Sequence, residues 1–151
     1  MYESEDKYNN NISKPLTKIS LHELFEWKNG SVISKVKLKS IDNNYHPTFN
    51  GEQKSKYLNH RETGGAIWNI FYLHCLNPNT WLIYDQHTHR AMMFIKTGKI
   101  VEIGKTNKQK YNSYEKEYLP FINSLASYDR RKVDKALFAF VQLLKIANKY
   151  I

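Results

Sequence analysis

The sequence predicts a mainly α fold, a single compact helical domain of about six helices. Apolar residues recur at helical spacing in residues 66–76 and again after Asp129. Helix-start signals stand at Ser20, Asp85 and Asp129. A strand-like pattern is confined to residues 31–41, where a strand would find little to pair with. At 151 residues there is room for one domain with a sizeable core.

Residues 1–17 are polar and read as a tail or loosely docked arm, leaving 18–151 as the helical domain. Ser20-Leu21-His22-Glu23 matches a capping box, so a helix is expected from Leu21 to about Lys28, ended by Asn29-Gly30. Residues 31–41 stay open. The alternation from Lys35 to Lys39 favours a strand, whereas Ile33, Val36 and Ile41 fit a helix loosely. His46-Pro47 and Asn50-Gly51 mark a loop, and Glu52 to Asn59 a short helix.

From Ala66 to Leu76, Ile67, Ile70, Phe71 and His74 share one face with Trp68, Tyr72 and Cys75 behind them, the almost wholly apolar cylinder of a central helix. Pro78 ends it by disfavouring helical geometry at Asn77. Trp81 to Tyr84 is apolar and extended, and Asp85 is the N-cap of the next helix, which Thr97-Gly98-Lys99 ends. Ile100 to Ile103 reads as a brief extended piece and Lys105 to Tyr114 as a lysine-rich mobile loop. A helix from about Tyr114 to Leu125 is interrupted near Pro120. Asp129 then caps the longest helix, with Val133, Ala136, Leu137, Phe140, Leu144, Ala147 and Ile151 on one face.

The formal charge is +9, and residues 96–151 carry ten Lys and two Arg against five acids. That excess predicts attraction to a polyanion, most simply DNA. Arg130, Arg131 and Lys132 crowd the first turn after Asp129, where the helix dipole disfavours cations, so an anionic partner is one reason for them to be there. Cys75 is the only cysteine, which rules out an intrachain disulfide and a Cys-based zinc site; it reads as a buried free thiol. No stretch approaches the ~20 apolar residues of a membrane span, so no membrane partner is expected. The N-terminal residues lack the basic start and apolar core of a signal peptide, and a cytoplasmic location is the default expectation. His87 and His89, two apart, point to different sides of a helix, and a metal site would need His60 or His74 to converge on one of them. Neither a metal nor a cofactor is expected.

The densest group of reactive side chains is Asp85, His87, His89 and Arg90, at the start of one helix. The run Leu82-Ile83-Tyr84-Asp85-Gln86-His87-Thr88-His89-Arg90 follows Gly64-Gly65 and one helix, and in this order it resembles the helix-hairpin-helix DNA glycosylases. In that family an apolar strand-like piece ends in Asp-x-His, and the aspartate is the catalytic carboxylate. The resemblance covers Gly64 to about Met93 and implies a shortened glycosylase core, with weaker support from the C-terminal helix.

It implies base excision with Asp85 as catalytic carboxylate beside His87, because base loss passes through an oxocarbenium-like sugar that an ionised carboxylate stabilises. A flipped base would stack on Trp68, Trp81 or Tyr84. Gly64, Gly65, Arg90, Lys105, Lys108, Lys110, Arg130, Arg131 and Lys132 would contact DNA. Two departures stand out. The family's Leu-Pro-Gly-x-Gly hairpin is Glu62-Thr63-Gly64-Gly65 here, and the lysine of lyase-competent members falls near Ile67 or Trp68. The resemblance therefore implies a monofunctional enzyme. These departures equally suit a non-catalytic interaction protein on a glycosylase-like fold, as in bacterial or phage defence, with Asp85 a plain helix cap.

Overall fold

The computed structural model describes residues 5–47, 56–58 and 65–149, and among these the chain is all helical, without strands. Seven helices follow in order: α1 (Glu5–Asn9), α2 (Lys18–Asn29), α3 (Lys35–Asn44), α4 (Ala66–Leu76), α5 (Gln86–Thr97), α6 and α7 (Arg130–Asn148). α6 is composite, running as α-helix over Asn107–Ser113, as a π-helical turn over Tyr114–Tyr118, and as α-helix again over Leu119–Asn123.

α4 is the centre, as its apolar surface requires, and it feeds two cores. Phe71, Tyr72, Leu73 and Cys75 pack with Leu21, Leu24, Phe25 and Trp27 of α2 and with Ile41 of α3. Ala66 and Ile70 pack with Ala91 and Met92 of α5, the tyrosines of α6, and Leu137 and Val141 of α7. Each large apolar side chain so buried contributes roughly 1.5–3 kcal/mol. Asn69, buried between the cores, is satisfied from both: the Tyr45 hydroxyl donates to its Oδ1 (2.6 Å), and its Nδ2 donates to the Tyr111 hydroxyl (2.8 Å). Burial without those partners would be costly.

Several expected boundaries move, each for a local reason. α2 starts three residues early because Thr17 is the N-cap and Ser20 is its reciprocal partner, not the cap itself. Residues 35–44 are helical: Ser34 accepts a bond from the Lys37 N–H, and Leu38 and Ile41 turn inward three apart, with Ile33 buried just before the cap. The expected mobile loop at 105–114 is largely helix, opened by reciprocal Thr106–Gln109 caps. In α7 the buried stripe is Asp134, Leu137 and Val141; Ala136 and Ala147 are exposed, and Ile151 lies outside the described residues. The short helix expected at 52–59 falls mostly outside them too. Ile100 to Ile103 pairs with no strand among the described residues.

The segment read as a tail contains α1, docked by Tyr8. Tyr8 is buried, and its hydroxyl bonds His74 Nε2 (2.8 Å) while the other ring nitrogen of His74 bonds the Trp81 carbonyl (2.7 Å). The Arg131 guanidinium lies over the Tyr8 and Trp27 rings, 4.5 and 5.0 Å from their centroids, and pairs with Glu5 and Asp134.

Burial pushes the Asp134 carboxyl up to about 6, against the opposing pull of Arg131, and burial lowers His74 to about 4. The two act oppositely on stability. As pH falls from 6 to 4, folded Asp134 takes up a proton that the unfolded chain binds only near 3.8, which stabilises the fold. Over the range from 6.5 to 4, unfolded His74 takes up a proton that the folded ring refuses, which destabilises it. Urea titrations of Asp134→Asn should therefore show stability falling more steeply than in the wild type between these limits, by up to about 3 kcal/mol. Parallel curves for the two proteins would refute the raised carboxyl.

Candidate functional site

Asp85 is the N-cap of α5. Its backbone is extended, its Oδ1 accepts from the His87 and Thr88 N–H groups (2.9 and 3.0 Å), and Thr88 Oγ1 accepts in return from the Asp85 N–H (3.0 Å). The expected cap is thus present, with a reciprocal partner.

The other carboxylate oxygen is met by a residue that no local sequence signal marks. Lys28, in the last turn of α2, places its Nζ 2.5 Å from Asp85 Oδ2, with the two side chains only 7% and 12% exposed. Burial alone would raise the Asp85 carboxyl; the Lys28 ammonium outweighs it, helped by the Thr88 N–H, and holds the group far below the usual carboxylate range. Asp85 is ionised at any physiological pH.

The pair lies on the floor of a surface cleft of about 480 Å³. Asn29 and Gly30 after α2, Gln86 and His87 of α5, Ile67 of α4, Ile103, Lys110 of α6 and Phe138 of α7 complete its lining. Gln86 fixes one wall by accepting from the Ile103 N–H (2.9 Å). His87 packs edge-on against Phe138 at 5.1 Å; burial lowers its pKa despite neighbouring Asp85, and its Nδ1 has no hydrogen-bond partner.

Of the residues that the sequence singled out, Asp85, His87 and Lys110 meet at this cleft. The three aromatics do not line it. Tyr84 is sealed between Tyr114 and Tyr118, its hydroxyl bonded to His89 Nδ1 (2.7 Å), so it is core rather than a stacking platform. Trp68 packs on Phe25 at 4.9 Å beneath the Lys37 ammonium, and Trp81 fills the seam between the two cores. The rings actually at the cleft are those of Phe138 and His87.

The expected DNA contacts divide in the same way. Arg131 is spent on Glu5 and Asp134, and Arg90 makes a two-pronged pair with Glu102 (3.1 and 2.7 Å). Arg130 reaches Asn123 at 3.4 Å, whereas Lys105, Lys108 and Lys132 are exposed. Gly65 is exposed and caps α4, whose first N–H is taken by Asn107 Oδ1 (3.1 Å). Gly64 and His60 lie outside the described residues.

A basic stretch that the sequence left unassigned follows Gly30, which lines the cleft. On α3, which begins five residues later, Lys35 and Lys39 stand exposed without a carboxylate partner among the described residues, and Val32 and Val36 are 82% and 80% exposed. Among the described residues no three His, Cys, Asp or Glu side chains converge as a metal site would need, and no helix is long and apolar enough to cross a membrane. No protein-family model matches the chain, and no curated protein or solved structure is significantly similar to it.

The Lys28–Asp85 geometry makes a direct prediction. Lys28→Met strands a buried carboxylate and should cost about 3–5 kcal/mol in chemical denaturation. Adding Asp85→Asn, which keeps a capping side chain, should recover most of that loss. Additive losses in the double variant would show that the two groups do not interact.

Proposed function

We propose that the chain binds DNA over the face surrounding the Asp85 cleft and releases a base there by hydrolysis of its glycosidic bond. The observation that carries this reading is an ionised carboxylate, held by Lys28, on the floor of an accessible cleft. As the base departs, positive charge develops on the sugar, and a fixed carboxylate in a low-dielectric floor stabilises it without reorganising. His87 and Phe138 are the flat groups beside it. Lys110 at the cleft, with the exposed Lys35 and Lys39 on the helix that follows Gly30 in sequence, supplies cations for phosphates.

The expectation of a monofunctional reaction rested on the missing amine at Ile67 and Trp68. Ile67 lines the cleft as an apolar wall, and the side-chain nitrogen that does reach Asp85, that of Lys28, is an ammonium held in the ion pair rather than a nucleophilic amine. Base release without strand scission is therefore the expected readout.

A second reading is favoured by the same contacts. Both Asp85 oxygens are already engaged, one by the helix start and one by Lys28, as in a structural cap. On that reading the basic face binds an acidic partner and no bond is broken.

Release of free base from damaged and mismatched duplexes, compared between wild type and Asp85→Asn, separates the two. Release that vanishes in the variant supports excision; no release from any duplex, with equal DNA binding by both proteins, supports the second reading. For the surface, Lys35→Glu with Lys39→Glu should weaken duplex binding and lower the slope of log affinity against log salt by about one per lost phosphate contact. An unchanged slope would place the DNA elsewhere.

A further inference from the structure

α7 is apolar on two sides, and the fold covers one of them. Val133, Leu137, Phe140 and Val141 pack into the second core. Turned away from that core, Ala136, Ala139, Leu143 and Ile146 are all exposed, with Leu143 and Ile146 at 60% and 54%. At 3.6 residues per turn, their positions fall within an arc of about 80° on the helix. Alternating steps of three and four residues are the spacing with which one helix packs along another. No residue of this stripe lines the Asp85 cleft, so the face is separate from any chemistry there.

The charges bordering the stripe have one sign. Lys132 continues it at the N-terminal end, Lys135 and Lys149 follow one edge, and all three are exposed. Lys135 reaches Glu5 at 3.4 Å, whereas Lys132 and Lys149 have no carboxylate partner among the described residues. From Lys135 to Lys149 the sequence holds no Asp or Glu. Apolar surface and unanswered cations therefore share one helix face.

That combination decides among occupants. Pairing the stripe antiparallel with a second copy of itself sets Lys135 against Lys149, and pairing it in parallel sets the lysine edge against Phe140 and Ala147. Neither arrangement supplies an anion. A nucleic-acid backbone would answer the lysines but leave Leu143 and Ile146 against phosphate, with no apolar surface to cover them. Helices that lie on membranes insert Trp, Phe and Leu, whereas half of this stripe is alanine, which adds little to insertion. Against another helix the alanines are an advantage: short side chains let the two axes approach while Leu143 and Ile146 enter the facing grooves.

We propose that the outer face of α7 docks an amphipathic helix of another protein, apolar along its centre and acidic along its edges. The apolar residues supply the anchors, and Lys132, Lys135 and Lys149 select the sign of the partner.

Fluorescence anisotropy on the full chain tests this with a labelled helical peptide of about four turns, carrying Leu at helical spacing and Glu on both edges. A second peptide has Lys in place of every Glu. The acidic peptide should bind with a Kd on the order of 50 µM and the basic one at least about tenfold more weakly. Lys132→Glu with Lys149→Glu should reverse that preference, and Leu143→Ser with Ile146→Ser should weaken both peptides about tenfold or more; all four side chains are exposed, so the fold is retained. No binding of the acidic peptide at about 1 mM overturns the proposal, as does equal binding of the two peptides. Sedimentation of the chain as a dimer, or its capture by vesicles of equal parts phosphatidylcholine and phosphatidylserine, overturns it too if Leu143→Ser with Ile146→Ser abolishes the effect. Those results would assign the face to a second copy or to a membrane surface.

Discussion

A helix that is apolar on every side has to be covered on every side, and α4 imposes that requirement on the whole chain. Phe71, Tyr72 and Leu73 call for one layer, and Ala66 and Ile70 for another. The helices before α4 in sequence supply the first and those after it supply the second. Asn69 and His74 are the polar residues set deep in this surface, and each core sends Asn69 one tyrosine hydroxyl. The cleft arises where the covering is incomplete, near the N-terminal end of α4, where Ile67 is left half-exposed.

Within that frame, charge is used sparingly inside the fold. Arg131 clamps α1 to α7 through Glu5 and Asp134, and Lys28 ties α2 to the start of α5. These cations offset buried carboxylates, so they are unavailable for a polyanion. This accounts for the middle one of the three cations at the start of α7, which the helix dipole disfavours. Lys35 and Lys39 of α3 remain facing solvent, as do Lys132 and Lys145 of α7.

The helix content, the α4 boundaries and the Asp85 and Asp129 caps were legible because each depends on neighbours within about four residues. The start of α2 was misplaced because Thr17 and Ser20 can both cap, and only the structure shows which of them does. Residues 31–41 resisted because lysines at every second position mimic a strand while facing solvent on a helix. The site was half legible. Asp85 and His87 belong to one local motif, but Lys28 stands 57 residues from Asp85 and nothing in its surroundings marks it. The stacking role given to Tyr84 failed for a related reason: aromatic content does not tell whether a ring is core or wall, and burial decides.

The π-helical turn in α6 bears on how this chain compares with others. The Leu119 N–H reaches back to the Tyr114 carbonyl, one residue further than an α-helix allows. Such a turn amounts to one inserted residue, and removing it would rotate everything downstream by about 100° relative to Tyr111. Tyr111 and Ile122 both face the second core, so the length of the segment between them is fixed by packing even where its residues are free to change. Spacing here, more than composition, is the signature a homologous chain would have to keep.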